Sequence, residues 1–483
     1  MSEQSKKSKP SVKTLLILGA TGDLTARLLL PGLAKLVATG RAGDLNLVGS
    51  GREEWTQEQW RDRVKKAFEP AFKECKENGR EALEKVIANA SYRVADVTKE
   101  GELPGLLDGL PTPIAIYFAL PPAVSLKAIS LLKPGELPEG TRLVMEKPFG
   151  ESAATAKELN DMLVKLVPED HIHRVDHFLG KSTVFNILGL RFANRILEPM
   201  FSNENVAKVE IIFDEDLTLE GRASYYDGAG ALRDMIQSHL LQIMAFIAMN
   251  PPATLGERDL RDHIGSVLRA SKIAGDVEVS TRRARYTAGK IGDRSVPNYV
   301  DEEGVDPSKN TETLAEVQIA INNSRWAGVP FILRSGKALA KPRKEAIITF
   351  KPVAHLPEGF LGGDKPDRLR IGFGPATLRM EIDVNGPGNI FTLDRAILEA
   401  NLHDSDLLPY GEVLDGVLSG DPLLSVRGDI AEDSWRIVDP VLEAWKNLDK
   451  VPMEEYPAGS FGPEDWETSR EEDPIEDPQV QES

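Results

Sequence analysis

The chain has 483 residues, 41% of them hydrophobic and 28% charged, with a formal net charge of −18. That length suits two or three globular domains, and the negative balance excludes a general binder of nucleic acid or membrane surface, so any anionic ligand has to be met by a local cluster of cations. No apolar run approaches the ~20 residues of a membrane span, and the single cysteine, Cys75, allows neither an intrachain disulfide nor a thiolate metal cluster, so a reducing cytoplasm is the expected home.

Residues 1–13 are polar and carry Lys6, Lys7, Lys9 and Lys13, a leader expected to be disordered. The apolar run Leu15 to Leu18 is too short for a signal-peptide core and reads as a strand. It enters Gly19-Ala-Thr-Gly22-Asp-Leu24, then a segment with Leu29, Leu33 and Leu36 at helical spacing. A strand, a glycine turn and a helix form a unit in which bare amide N–H groups at the helix start can hold a phosphate. The turn has only two glycines, so a plain tight turn is the competing reading. A second strand, Leu45 to Val48, ends in Gly49-Ser-Gly51-Arg52. In a dinucleotide fold this position faces the adenosine ribose, where an arginine suits the 2′-phosphate of NADP and an acid suits NAD. Arg52 points to NADP, while adjacent Glu53 keeps NAD open.

Glu54 to Ala90 is helical in character, and buried strands follow at Tyr92 to Val97, Ile114 to Leu120 and Leu143 to Glu146, the last leading into Lys147-Pro-Phe-Gly150. Strands alternating with helices predict a doubly wound parallel sheet whose ligands bind at the strand carboxyl ends. Lys147 stands at such an end and can meet a sugar hydroxyl or a phosphate. The octamer Arg174-Val-Asp-His-Phe-Leu-Gly-Lys181 then packs a carboxylate, an imidazole, two cations and a glycine together. Such a group can hold an anion and move a proton; a solvated mixed-charge helix end is the bland alternative.

Val209 to Glu215 alternates like a strand with one covered face. Ala231 to Asn250 reads as a helix stopped by Pro251-Pro252, and His239 shares the apolar side of Met235 and Ile243. A histidine there is commonly a core residue bonded to a carbonyl, but burial also disfavours its charged form, and a general base must start neutral. From Thr311 to Pro457, strand-like runs such as Ala315 to Asn322, Ala346 to Phe350, Leu369 to Phe373 and Leu378 to Val384 predict a mainly antiparallel sheet. Within it Arg334-Ser-Gly-Lys337 presents two cations beside a glycine. The acidic, proline-containing residues 463–483 are expected to be a disordered tail.

Taken together, GATGDL (Gly19 to Leu24), EKPFG (Glu146 to Gly150), RVDHFLGK (Arg174 to Lys181), LRFAN (Leu190 to Asn194), LRDMIQSHLLQ (Leu232 to Gln242), RWAGVPFILRSGKAL (Arg325 to Leu339), WRIVDPVL (Trp435 to Leu442) and YPAGSFGP (Tyr456 to Pro463) resemble the glucose-6-phosphate dehydrogenase family. The resemblance implies an α/β Rossmann-like N-terminal domain over residues 14–175 and a larger α+β domain with a mainly antiparallel sheet over residues 176–462. It implies an NADP-dependent oxidation of glucose 6-phosphate to the lactone, the first oxidative step of the pentose phosphate pathway. His239 becomes the general base and Asp176 the residue that orients it. His177 and Lys181 take the phosphate; Lys147, Glu215, Asp234, Lys337 and Lys341 hold hydroxyls or phosphate. Gly19, Ala20, Thr21, Gly22, Asp23, Leu24, Arg52, Asp96, Val97 and Lys147 correspond to the dinucleotide site. No metal is called for, and a homodimer or homotetramer is implied.

Three departures from the family pattern, at four positions, stand out. Phe178 replaces a common tyrosine, removing a hydroxyl contact to the phosphate worth on the order of 1 kcal/mol. Ala26 and Leu28 replace lysines after the glycine turn, and Ser238 replaces an asparagine before His239. Two rival readings remain: a dehydrogenase of unphosphorylated glucose or another hexose phosphate, and a catalytically silent paralogue that regulates an active partner.

Overall fold

A computed structural model describes residues 12–362, 365–386, 389–403, 405–447 and 450–469. Residues 1–11 of the expected leader and 470–483 of the expected tail lie outside the described residues. Among the described residues the chain forms two compact units, the first drawn from 12–190, 249–269 and 403–436, the second from 191–248, 270–402 and 437–469. The single break expected at 175/176 is therefore replaced by a segmented division.

In the first unit, strands β1 (Thr14–Leu18), β2 (Asn46–Gly51), β3 (Ser91–Val94), β4 (Ile114–Phe118), β5 (Arg142–Glu146) and β6 (Ile172–Val175) form a parallel sheet in the order β3-β2-β1-β4-β5-β6. The short strand Ser425–Val426 adds to β6 antiparallel, opposite Val175 and Arg174. Every residue of β1 and β4 is buried, as expected for central strands covered on both faces. The chain reverses strand order between β1 and β4, and the carboxyl ends at that point open into a crevice.

The segment 403–436 belongs to this unit because its helix Pro409–Ser419 packs on helix Leu30–Ala38. Val413, Leu414 and Val417 join Leu30, Leu33 and Val37 in one apolar cluster. The approach is backbone to backbone. A Cβ on Gly32 would lie 2.9 Å from the Gly411 nitrogen, and one on Gly180 would lie 2.3 Å from the Pro409 carbonyl oxygen. The leader's order also begins earlier than expected: Val12 is buried, and its N–H donates to the Leu418 carbonyl at 2.9 Å.

The second unit is built on β7 (Val206–Asp214), β8 (Ser271–Ile273), β9 (Thr281–Thr287), β12 (Leu314–Ile321), β13 (Pro330–Gly336), β14 (Arg343–Phe350), β15 (Arg368–Gly372), β16 (Thr377–Asn385) and β17 (Leu393–Asn401), with β10 (Gly289–Ile291) and β11 (Arg294–Val296) as a separate hairpin. The large sheet runs β17-β16-β15-β14-β7-β13-β12-β9 and ends on Met453–Pro457, with β8 also on β12. It is mainly antiparallel; β7 with β13 and β9 with Met453–Pro457 are parallel pairs. The helix expected from Ala231 to Asn250 is divided. Helix Ala223–Ala231 carries a kink at Gly230 (φ 68), π-helical turns run Leu232–Leu240, and a wholly buried α-helix follows at Leu241–Ala248.

The expected disordered tail is also shortened. Trp466 is fully buried in a cluster with Tyr286, Tyr299, Leu314 and Tyr456, and a short 3₁₀ turn covers Glu467–Ser469. Arg334 explains why. Its guanidinium bonds both Asp214 oxygens at 3.1 Å, the Thr468 and Ser469 hydroxyls at 2.9 and 2.7 Å, and the Phe461 carbonyl at 2.6 Å. A buried guanidinium with its donors satisfied ties down the segment that supplies the acceptors.

Gly32→Ala is expected to destabilise the protein despite the ~1 kcal/mol that alanine gains over glycine in a helix. Overpacking against the Tyr410–Gly411 backbone should leave a net loss of about 1–2 kcal/mol in urea unfolding. A variant as stable as wild type would show that the two helices separate at little cost.

Candidate active site

The crevice at the β1/β4 switch point has a volume of about 270 Å³. Of the residues expected at a dinucleotide, Gly19, Thr21, Gly22, Arg52, Asp96 and Val97 line it. The glycine turn follows β1 with Gly19 at φ +83, and a Cβ there would lie 2.2 Å from the Ala119 carbonyl oxygen. Only glycine allows that closeness. The Thr25 hydroxyl donates to the Gly19 carbonyl at 3.0 Å, closing the turn at the start of the helix. The Asp96 carboxyl is held below its usual range by the Thr98 hydroxyl and N–H that donate to it. Glu53 also lines the crevice; its carboxylate accepts from the Thr21 hydroxyl at 3.1 Å beside exposed Arg52. The residues present fit a dinucleotide: a glycine cradle, amides at a helix start and an arginine at the end of β2.

Four expected residues do not line this crevice. Ala20 is buried and bonds β2 through its N–H, to the Ser50 carbonyl at 3.0 Å. Asp23 is exposed and paired with Arg27 at 2.9 Å, Leu24 is half-buried, and Lys147 lies at the end of β5.

The octamer resolves into two functions. Arg174, on β6, is fully buried and turned into the fold, bonding Glu169 at 2.7 and 3.2 Å and the Asn160 carbonyl oxygen at 3.0 Å. It is a structural cation, which leaves His177 and Lys181 as the other basic residues of the octamer. Asp176 is buried at the carboxyl end of β6 and accepts from the Phe178 N–H at 3.0 Å, starting the short turn His177–Gly180. Glu146 and Val175 are paired in the parallel register of β5 and β6, so Lys147 and Asp176 occupy the next positions of adjacent strands. Lys181 lies 3.9 Å above the Phe178 ring. Without a hydroxyl, Phe178 still meets the ammonium through its π face.

Sequence reading missed the support beneath this cluster. Tyr410 stacks on His177 with ring centres 5.7 Å apart and planes 10° apart, and Phe178 meets the same imidazole edge-on at 5.1 Å. The Tyr117 and Tyr410 hydroxyls both bond the Glu146 carboxyl. Burial pushes that carboxyl up to about 7, against the opposing pull of the tyrosines and Lys147. No local pattern marks Tyr410, because it arrives from a helix more than two hundred residues away.

The second unit gathers the other expected residues. Glu215 and Lys337 follow the adjacent ends of β7 and β13 and pair at 2.7 Å. Lys344, on β14 opposite Phe213, lies 3.7 Å from the other Glu215 oxygen and was not anticipated. Asp234 accepts from the Tyr225 hydroxyl at 3.1 Å. His239 is buried five residues further along the same π-helical turns, which pack on β13. Wide turns of this kind often mark functional sites. Their first N–H, at Leu232, donates at 2.9 Å to buried Glu312, whose carboxyl is pushed up by burial. Lys341 is exposed, 5.3 Å from the Phe461 ring centre.

A parallel sheet with a glycine-turn crevice, joined to a unit carrying a buried histidine with acids and lysines, defines a two-domain nicotinamide-dependent dehydrogenase. Comparison with known proteins makes this particular. Residues 16–186 match the family model described as glucose-6-phosphate dehydrogenase, NAD binding domain, and residues 188–476 match that of the C-terminal domain. The glucose-6-phosphate 1-dehydrogenase of Zymomonas mobilis is 36% identical over 469 residues, covering 94% of this chain and 96% of that protein. The crystal structure of glucose-6-phosphate 1-dehydrogenase from Mycobacterium avium superposes with a TM-score of 0.81 at 30% identity, covering 94% of this chain and 96% of that one. A glucose-6-phosphate dehydrogenase in complex with its substrate glucose-6-phosphate gives the same score at 28% identity, covering 93% and 95%. The chain belongs to the glucose-6-phosphate dehydrogenase family and is an oxidoreductase. Among the described residues no helix is long and apolar enough to cross a membrane.

Glu146 makes a stability prediction. Its folded carboxyl keeps a proton to about pH 7, whereas the unfolded chain releases it near 4.5, so this group lowers stability as pH rises between those values. In Glu146→Gln the contribution is gone. The stability of the variant relative to wild type should therefore rise from pH 5 to pH 8, by at most about 3 kcal/mol. Urea unfolding at both pH values measures it, and parallel pH curves would mean that Glu146 ionises normally.

Proposed function

We propose that the protein oxidises D-glucose 6-phosphate to 6-phospho-D-glucono-1,5-lactone with NADP, the first oxidative step of the pentose phosphate pathway. The observation that carries this reading is the placement of Lys147, Asp176, His177 and Lys181 at the carboxyl ends of β5 and β6, in the same sheet whose switch point holds the glycine-turn crevice. Membership of the family supports it, as does the sugar-phosphate complex of a relative.

In this reading His239 removes the proton from the anomeric hydroxyl, and Asp176 orients the imidazole and stabilises its charged form. A bound nicotinamide accepts the hydride. His177 and Lys181 receive the 6-phosphate, with Lys341 as a further cation toward it. Lys147, Glu215, Asp234 and Lys337 hold the sugar hydroxyls, Lys147 also near the nicotinamide. Positioned general bases contribute roughly 10²- to 10⁴-fold in rate. Arg52, at the end of β2, selects NADP by pairing with the 2′-phosphate, while the neighbouring Glu53 leaves a measurable activity with NAD. The enzyme works in the cytoplasm as a homodimer or homotetramer.

Initial rates of absorbance at 340 nm, crossing glucose 6-phosphate and glucose with NADP and NAD, test the assignment. Strong turnover is expected only with the phosphorylated sugar, and best with NADP. Turnover on free glucose, or none from a folded protein, would favour the two rival readings in turn. His239→Asn should fold and bind sugar phosphate but lose turnover by roughly 10²-fold or more; near-full activity would remove it from the base role. Arg52→Ala should raise KM for NADP by roughly tenfold and leave KM for NAD unchanged. Equal effects on both cofactors would separate Arg52 from the 2′-phosphate.

A further inference from the structure

We propose that Lys344 binds the phosphate of the sugar substrate, as a second ammonium beside Lys337. The inference rests on the assignment of Glu215 and Lys337 to that substrate.

Strand register decides which way Lys344 faces. In the antiparallel pairing of β14 with β7, Arg343 lies opposite Asp214, Lys344 opposite Phe213 and Glu345 opposite Ile212. Successive strand residues point to opposite sides of a sheet, so of these three charged residues Lys344 alone shares the face of Phe213. The contacts agree with the alternation. Arg343 donates to the Thr468 carbonyl at 2.9 Å, and Glu345 accepts from Arg370 at 2.7 and 2.9 Å. The Lys344 ammonium instead lies 4.9 Å from the Phe213 ring centre and 3.7 Å from Glu215. β14 is an interior strand between β7 and β15, and the Lys344 carbonyl accepts from the Phe373 N–H at 2.6 Å, so the lysine stands on a fixed backbone.

Charge and hydrogen-bonding capacity show what the ammonium is placed for. Lys337 bonds one Glu215 oxygen at 2.7 Å. Lys344 faces the other oxygen from 3.7 Å, beyond hydrogen-bond reach, so its three N–H donors have no acceptor among the described residues. The Lys337–Glu215 pair by itself is neutral, and Lys344 makes the cluster cationic. A phosphate monoester brings roughly two negative charges and three acceptor oxygens, which a neutral pair does not balance. A half-buried ammonium with unspent donors does, through charge-assisted hydrogen bonds. Lys341, the cation expected for this purpose, is placed differently. It is exposed, lies between β13 and β14 rather than on a strand, and sits 5.3 Å from the Phe461 ring centre. Lys344 therefore carries the larger share.

The test compares purified full-length enzyme with Lys344→Ala and Lys341→Ala, measuring kcat, both KM values and the inhibition constant of inorganic phosphate against glucose 6-phosphate. Lys344→Ala should raise KM for glucose 6-phosphate on the order of tenfold, and the inhibition constant of phosphate by a similar factor. Its kcat and its KM for NADP should stay within about twofold of wild type, as expected when only ground-state binding is removed. Lys341→Ala should raise the same KM by about threefold or less, the effect of an exposed charge.

An unchanged KM and inhibition constant in Lys344→Ala would overturn the proposal. A raised KM with an unchanged inhibition constant would also defeat it, because Lys344 would then act through Glu215 on the sugar hydroxyls. So would a rise in both KM values together with a loss of kcat and a lowered melting temperature, the pattern of a packing role. If Lys344→Ala does not accumulate folded, Lys344→Gln keeps a stem over Phe213 without the charge and carries the same expected rises. The underlying reading fails separately: a wild-type enzyme that turns over free glucose as readily as glucose 6-phosphate would remove that reading and this proposal with it. A wild type strict for the phosphorylated sugar, with Lys344→Ala unaffected, would defeat Lys344 alone.

Discussion

The constraint that ties the first unit together is a contact without side chains. The start of helix Pro409–Ser419 lies against Gly180 and Gly32 so tightly that a single added carbon would overlap the backbone opposite. Overlap of that kind cannot be relieved by a rotamer change, because the opposing atoms belong to the main chain. The octamer turn, the helix after the glycine crevice and the helix carrying Tyr410 are consequently held in one arrangement. Both the glycine-turn helix and the His177–Gly180 turn are part of it. Trp435 adds a parallel tie, its indole N–H donating to the Phe149 carbonyl at 3.0 Å and steadying the segment that follows Lys147.

Buried charge does comparable work in the second unit. Arg334 and Asp214 are both inside, where an unpaired ion would be costly, and the arrangement survives because the guanidinium finds hydroxyl and carbonyl acceptors as well as the carboxylate. Glu312 occupies the analogous position for the histidine-bearing turns. Its carboxyl sits where a Cβ on Gly230 would be, within 2.4 Å, and accepts from the first N–H of those turns. A kink at a glycine and an internal acid replace an ordinary N-cap. Lys337 and Lys344 share Glu215, so a carboxylate and two ammonium groups stand together at the ends of three adjoining strands.

The two arginines that sequence reading grouped with functional cations, Arg174 and Arg334, turned out to be structural. Local composition could not separate them from Lys181 and Lys337. Arg174 precedes the end of β6 by one residue and points into the fold, and Arg334 precedes the end of β13 by two. Lys181 and Lys337 lie beyond the last residue of the same strands, where the chain has left the ladder. Position relative to the strand end, known only once the strands are paired, distinguishes the members of these two pairs.

Periodicity and motif spacing were sufficient to read the Rossmann-like sheet, the mainly antiparallel second sheet, the glycine turn and the residues named at the strand ends. Each of these is a local property: an apolar run, a glycine that must take positive φ, or a short motif that brings its own residues together. The segmented composition of the first unit, the order of Val12 and Trp466, and the contacts of Tyr410, Tyr117 and Lys344 were decided by tertiary structure. They arise from contacts between segments remote in the chain, where a tyrosine or a lysine looks like any other until its partner is in place. Sequence therefore specified which residues could carry the chemistry, and the fold decided what holds them still.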